Sequence, residues 1–271
     1  MQNPKVLFIC SELMPYVPEN EMSKISRQLP QGIQELGSEV RVFMPRYGCI
    51  NERRNQLHEV IRLSGMNMVI NDTDHPLIIK VASITSARMQ VYFIDNEDYF
   101  HRKAMARSES GEFFTDNDER IVFFIRGVLE TVKKLRWAPD IIHCHGWFSY
   151  MASLYLKKVY QDDPLFSSTK VVVSLYDDEF SEELDPAMKK KVAMDDGIKP
   201  KDVELLSTPT YTNLAKLAIS YSDGVVAGTE SPNEAALKYA KSLKKPVLKY
   251  QTPEQYIQEY AKFYNKILAN D

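Results

Sequence analysis

Short apolar runs, each followed by a longer stretch with apolar residues at helical spacing, recur along most of this 271-residue chain. Lys5 to Cys10 is one such run and Glu39 to Met44 is another. Between them Ile25, Leu29, Ile33 and Leu36 share one face of a helix, and Gly37 supplies its C-terminal stop. Strand, helix and strand in that order make a βαβ unit, whose strands run parallel and need helices to cover them.

The rhythm continues. A helix is predicted over 118–137 and ended by Pro139, with Ile121, Phe124, Ile125, Val128, Leu129 and Val132 on its buried side. The strand 140–145 follows, then a helix over 147–160, a strand at 170–176, a helix near 212–220 and a strand at 223–227. A helix at 232–242, a short strand at 246–250 and a closing helix over 253–268 complete the series. Four strand-like segments at 58–63, 66–70, 75–83 and 89–95 break it and predict a β-meander insertion. The polar stretch 177–201 reads as a mobile loop with one short helix. The predicted fold class is therefore α/β: one Rossmann-like domain over 1–271 with a parallel sheet and a β-meander at about 58–95.

Composition excludes several classes. Apolar residues make up 44% and charged residues 26%, enough apolar material for a proper core. Lys plus Arg number 34 against 37 Asp plus Glu, a net charge of −3, which provides no general field for nucleic acid or an acidic membrane surface. No apolar run approaches the roughly 20 residues of a membrane span, and the first residues lead straight into a strand without a signal-type apolar region. Cys10, Cys49 and Cys144 are odd in number and far apart, which argues against disulfides and thiolate metal sites. A cytoplasmic protein is expected.

In an open parallel sheet, ligands bind beyond the carboxyl ends of the strands. Three loops qualify: the one after Cys10 with Glu12 and Tyr16, the one after His145 with Trp147, and the one after Leu175 with Tyr176 and Asp177. The first loop has no glycine-rich phosphate cradle and carries Pro15, Pro18, Glu19 and Glu21 instead, which disfavours dinucleotide binding. His143 and His145 lie two apart on one strand face. A zinc site needs a third ligand at matching spacing, and none is present; hydrogen-bonded histidines near a strand end and a ligand-facing His145 both stay open. Cys144 points to the opposite face as a small core residue. Asp177, Asp178 and Glu179 form an acidic cluster that could hold a cation but reads first as a solvated loop, and Tyr99, Phe100, Phe113 and Phe114 read as packing, although aromatics also suit sugar rings. No metal, no cofactor and no catalytic residue is assigned. The ligand-facing candidates are Glu12, Tyr16, His145, Trp147, Tyr176 and Asp177.

Several segments in order resemble the N-terminal half of glycogen and starch synthases of the ADP-glucose type: 5–12 with Pro15-Tyr16, Leu29-Pro30, 40–48, 91–96 with Tyr99-Phe100, Asp116 to Arg120, 137–145 with Trp147, and 154–157. The resemblance covers about residues 5–230. It implies the first half of a glycosyltransferase-B fold, glucose transfer from ADP-glucose to an α-1,4-glucan, and a role in glycogen biosynthesis.

The departures are specific. The family's first loop reads Lys-x-Gly-Gly-Leu-(Ala/Ser)-Asp; here Pro18 stands at the lysine, Asn20 and Glu21 at the glycines and Lys24 at the aspartate. Asp-Trp-His becomes Gly146-Trp147-Phe148, and a histidine-asparagine pair becomes Tyr176-Asp177. After Ala227 too few residues follow for a second Rossmann-like half, so that half is expected to be absent, with 253–268 closing this one. The resemblance thus implies either a synthase with degenerate motifs or a non-catalytic α-glucan-binding or partner subunit, with α-glucan, ADP-glucose and a separate second-domain protein as candidate partners.

Overall fold

A computed structural model describes residues 3–269 of the chain. Its strands are β1 (Lys5–Cys10), β2 (Glu39–Pro45), β3 (His58–Glu59), β4 (Met66–Ile70), β5 (Thr73–Ile84), β6 (Met89–Asp95), β7 (Ile141–His145), β8 (Lys170–Leu175), β9 (Gly224–Ala227) and β10 (Val247–Leu248). The helices are α1 (Glu21–Glu35), α2 (Glu97–Phe100), α3 (Asn117–Lys134), α4 (Met151–Lys158), α5 (Met188–Val192), α6 (Tyr211–Ser220), α7 (Glu234–Ser242) and α8 (Tyr256–Ala269). Among the described residues no helix is long and apolar enough to cross a membrane.

The strands form one sheet in the order β10-β9-β8-β7-β1-β2-β6-β5-β3, with β4 paired to β5. Every pair from β10 to β6 is parallel. Central strands of such a sheet are covered on both faces and must be apolar throughout. Accordingly Val6, Leu7, Phe8, Ile9 and Cys10 have no exposed surface. Their residues pair with Val40 to Phe43 on one side and Ile141 to His145 on the other.

Chain order sets the position of the site. From β1 the chain works outward through β2 and β6, then returns to β7 on the far side of β1 and works outward again through β8, β9 and β10. The direction of winding therefore reverses between β1 and β7. At that point the loops following the two strands diverge and leave a crevice at their carboxyl ends.

The predicted α/β sheet is present, with three differences in detail. The segment 58–95 holds the predicted meander, β4, β5 and β6 pairing antiparallel in chain order with the β4–β5 turn at Asn71 and Asp72 left-handed (φ 48° and 60°), but the strand predicted at 58–63 is reduced to His58–Glu59 and β6 also joins the main sheet parallel to β2. The helix predicted to reach Trp137 stops at Lys134, because Arg136 takes a left-handed φ of 50° and Trp137 turns back so that its indole N–H meets Glu39. The helix predicted over 147–160 is a 3₁₀ turn at Trp147–Ser149 followed by the short α4. Finally α8 lies against α1, where Ile257 fills the space beside Gly32, and buries Tyr260, Phe263, Tyr264 and Ile267.

Candidate functional site

A cleft of about 350 Å³ sits at the reversal point. Glu12 comes from the loop after β1, Asn20, Glu21 and Met22 from the start of α1, Trp147 from the loop after β7, and Tyr176, Asp177, Asp178 and Glu179 from the loop after β8. Five carboxylates line it, and no lysine or arginine among the described residues does.

Local geometry explains why the loops hold this shape. The Ser11 N–H donates to the His145 carbonyl at 2.7 Å, tying the ends of β1 and β7 together. Gly146 then turns the chain with φ +81°; a Cβ there would lie 2.5 Å from Met22 Sδ and 2.6 Å from Ser11 Oγ. Phe148 N–H donates to Ser11 Oγ at 3.0 Å, and Trp147 N–H donates to Asp178 Oδ2 at 2.8 Å. Asp178 Oδ1 accepts from the Tyr211 hydroxyl at 2.8 Å, so one carboxylate joins the loops after β7 and β8 to α6. Burial pushes the Asp178 carboxyl up to about 6 despite those two donors.

The start of α1 is equally determined. Asn20 caps the helix through Ser23 N–H at 2.7 Å, and Ser23 Oγ accepts from Asn20 N–H at 2.9 Å, a capping box. The Asn20 amide also donates to Glu12, whose carboxyl burial pushes upward. A helix N-terminus is ordinarily an anion site because its free amides and dipole favour negative charge. Here the Asn20 side chain fills one of those amides, and Glu12 and Glu21 stand beside the helix end. Lys24, one turn on, is exposed and paired to Glu19 at 2.7 Å. Phe148 is 1% exposed, with its ring 5.7 Å from Tyr47 and 5.4 Å from the buried guanidinium of Arg120.

The six predicted ligand-facing residues separate into three groups. Glu12, Trp147, Tyr176 and Asp177 line the cleft together. Tyr16 turns the other way: its ring meets Phe93 edge-on at 4.8 Å, and it lines a neighbouring hollow with Cys49 and Arg54. His145 lies beneath the cleft floor with no exposed surface. Its Nδ1 lies 2.8 Å from the Tyr176 hydroxyl, and its Nε2 lies 3.2 Å from His143 Nδ1. His143 Nδ1 is also 2.6 Å from the Tyr264 hydroxyl and its Nε2 is 2.7 Å from Ser174 Oγ. Two proton orders satisfy this chain, one running from Tyr176 through His145 and His143 to Ser174 and the other in reverse, and in each every ring carries a single N–H. Both rings are then neutral, which matches burial lowering His145 to about 3 and His143 well below its ordinary value. The pair does share one face, and that face is interior.

The sequence reading did not single out Asn20 and Asp178 as site residues. The Asn20–Ser23 spacing is a legible capping signal; the ties from Asp178 to Trp147 and Tyr211 cross between distant segments and leave no local mark. Beside the cleft, Trp147 packs against Phe180 at 4.9 Å and Phe113 at 6.0 Å, and Arg107 forms a two-pronged ion pair with Glu182.

Known proteins resemble this chain along most of its length. The family described as starch synthase catalytic domain matches residues 5–241. A glycogen synthase of Chlorobium limicola is 39% identical over 176 residues, covering 65% of this chain and 36% of that protein. A glycogen synthase of Chlorobaculum parvum is 32% identical over 240 residues, covering 86% of this chain and 47% of that protein. This chain thus spans less than half the length of either relative. The catalytic domain of starch synthase IV from Arabidopsis thaliana, solved with ADP and acarbose, superposes with a TM-score of 0.73 at 17% identity over 93% of this chain and 52% of that one. That superposition fixes the fold as the glycosyltransferase-B type.

Proposed function

The chain belongs to the starch synthase catalytic domain family, and from that premise we propose that it serves glycogen metabolism as a domain facing α-glucan, without holding a nucleotide sugar. The observation that carries the reading is the cleft's charge. A diphosphate needs cations or bare amides, and this cleft presents five carboxylates, a capped helix end and no lysine or arginine among the described residues. Pro18, Asn20 and Glu21 stand where the family's lysine and glycines would meet the donor, and Phe148 faces inward where a histidine would face the sugar.

A neutral glucan meets no such repulsion. Carboxylates are good acceptors for sugar hydroxyls, and Trp147, held in place by packing on Phe113 and Phe180, is the aromatic ring that lines the cleft. The starch synthase IV structure carries acarbose as well as ADP, which supports an oligosaccharide as the ligand class. We further propose that residues 1–271 correspond to the first of two Rossmann-like halves, and that a second half, wherever it is encoded, closes over this cleft.

A second reading keeps glucose transfer from ADP-glucose. It is favoured by Arg107, which lines the hollow adjoining Glu12 and Trp147 and would supply a cation if it left Glu182. Radiolabelled ADP-glucose with glycogen as acceptor separates the two. The first reading expects no incorporation by the 271-residue chain, because losing one well-placed charged contact alone commonly costs about a hundredfold or more in rate. Incorporation lost in Arg107→Ala would establish the second.

A further inference from the structure

A chain of hydroxyls leads from the cleft into the core. Asp178 stands at its outer end, where Oδ2 holds the Trp147 N–H at 2.8 Å and Oδ1 lies 2.8 Å from the Tyr211 hydroxyl. That hydroxyl lies 3.2 Å from the Tyr150 hydroxyl, which lies 3.1 Å from the Ser174 carbonyl in β8. Tyr150 and Tyr211 are both buried. With Asp178 ionised, the chain has three oxygen–oxygen contacts and only the two phenol protons to fill them, because a carbonyl and a carboxylate only accept. Tyr211 then donates to Asp178 and Tyr150 to Ser174, and the contact between the two phenols has no proton of its own. A proton on Asp178 Oδ1 fills every contact: Asp178 donates to Tyr211, Tyr211 to Tyr150 and Tyr150 to Ser174. Trp147 N–H keeps Oδ2 as its acceptor in both states.

The surroundings of Asp178 favour that proton. Glu12 faces it from the loop after β1, Glu21 from the start of α1, and Asp177 and Glu179 from its own loop. The turn after β7 and α6 present the phenols of Tyr150 and Tyr211, with the buried Cys144 thiol behind Tyr150. No lysine or arginine among the described residues lines the cleft around it. Glu21, Asp177 and Glu179 are exposed and keep their water, and Glu12 accepts from the Asn20 amide. Asp178 is the one of the five that ends a chain of buried hydroxyls able to receive its proton. An oligosaccharide entering the cleft displaces the water that screens these charges, and both the lost hydration and the like charges then disfavour the ionised form.

We propose, on the α-glucan reading of the cleft, that Asp178 is a proton-linked positioning residue: occupation of the cleft drives a proton from solvent onto its Oδ1, the hydroxyl chain to Ser174 reverses to receive it, and Trp147 stays held throughout. By linkage, affinity rises as the pH falls, by at most about tenfold per pH unit for one proton. Titration calorimetry of the folded chain with maltoheptaose at pH 6.5, in phosphate and in imidazole buffer, reads proton uptake from the difference in heat. Uptake is expected in the wild type and none in Asp178→Asn, whose affinity should be the same at pH 7.5 and 6.0. Tyr150→Phe, checked for native circular dichroism, keeps Asp178 and Tyr211 but removes the acceptor of the reversed chain. It should lower the pH at which the Asp178 carboxyl titrates, followed without ligand by NMR of aspartate labelled with carbon-13 at the carboxyl and assigned by its loss in Asp178→Asn. Equal uptake in wild type and Asp178→Asn, wild-type affinity that does not change with pH, or an Asp178 midpoint unmoved by Tyr150→Phe overturns the proposal. Absence of maltoheptaose heat in wild type and variant alike removes the glucan reading and the linkage with it, while the carboxyl midpoints still decide the hydroxyl chain.

Discussion

Lowering the pH from 7.5 to 5.0 should destabilise this protein by an amount set by four buried groups of opposite effect. His145 has its pKa lowered to about 3 and His143 well below 6.5, so the folded chain leaves both neutral while the unfolded chain protonates both below its ordinary value of 6.5. The unfolded state therefore binds more protons, and stability present above pH 6.5 is lost as the pH falls. At about 1.4 kcal/mol per pH unit, His145 costs about 2 kcal/mol at pH 5.0, and His143 adds a loss of the same sign. Asp118 and Asp178 act in the other direction. Both are raised to about 6 from 3.8, so between those values the folded chain holds protons that the unfolded chain does not. Each offsets about 1.4 kcal/mol by pH 5.0, so the net loss is smaller than the histidines alone would give. Asp178→Asn removes one offset and should deepen the loss on acidification by about 1.4 kcal/mol. Urea denaturation followed by circular dichroism at the two pH values measures both figures. Wild-type stability rising toward pH 5.0 would refute the neutral buried pair; an identical pH dependence in Asp178→Asn would refute the protonation assigned to Asp178.

The remaining expectations concern packing and the cleft. Gly146→Ala should destabilise by about 2–4 kcal/mol in urea melts, since a Cβ there meets Met22 and Ser11 and the left-handed φ adds strain. Tyr264→Phe removes the hydroxyl 2.6 Å from His143 Nδ1 and should cost about 1 kcal/mol, with a smaller effect if His145 Nε2 takes over as the partner. Phe148→His places an imidazole beside the buried Arg120 guanidinium and should lower the melting temperature without producing glucose transfer, alone or with Pro18→Lys; transfer by the double variant would contradict the assignment of the cleft.

Much of the fold was legible because buried parallel strands must be short continuous apolar runs. Val6 to Cys10 and Val171 to Leu175 read that way and occupy the sheet centre. What was not legible depended on contacts between distant segments. The 89–95 strand is the last strand of the meander, as its sequence suggests, and the pairing with β2 that also makes it the edge of the parallel sheet left no local mark. Four of the six candidate site residues meet in one cleft because strand ends at a reversal point must converge. Tyr16 and His145 could not be placed from spacing. The loop after β1 turns Tyr16 toward Phe93, and α8, more than a hundred residues downstream of His145, covers the face that both histidines share. Spacing put the two rings together; only packing shows that they look inward.

Titration of the 271-residue chain with ADP-glucose, alongside maltoheptaose, probes the cleft's charge directly. Maltoheptaose is expected to give saturable heat that disappears in Trp147→Ala, while ADP-glucose gives none, because Glu12, Glu21, Asp177, Asp178 and Glu179 meet its diphosphate with like charge. Saturable ADP-glucose binding in the wild type, with no heat from maltoheptaose, would contradict the account.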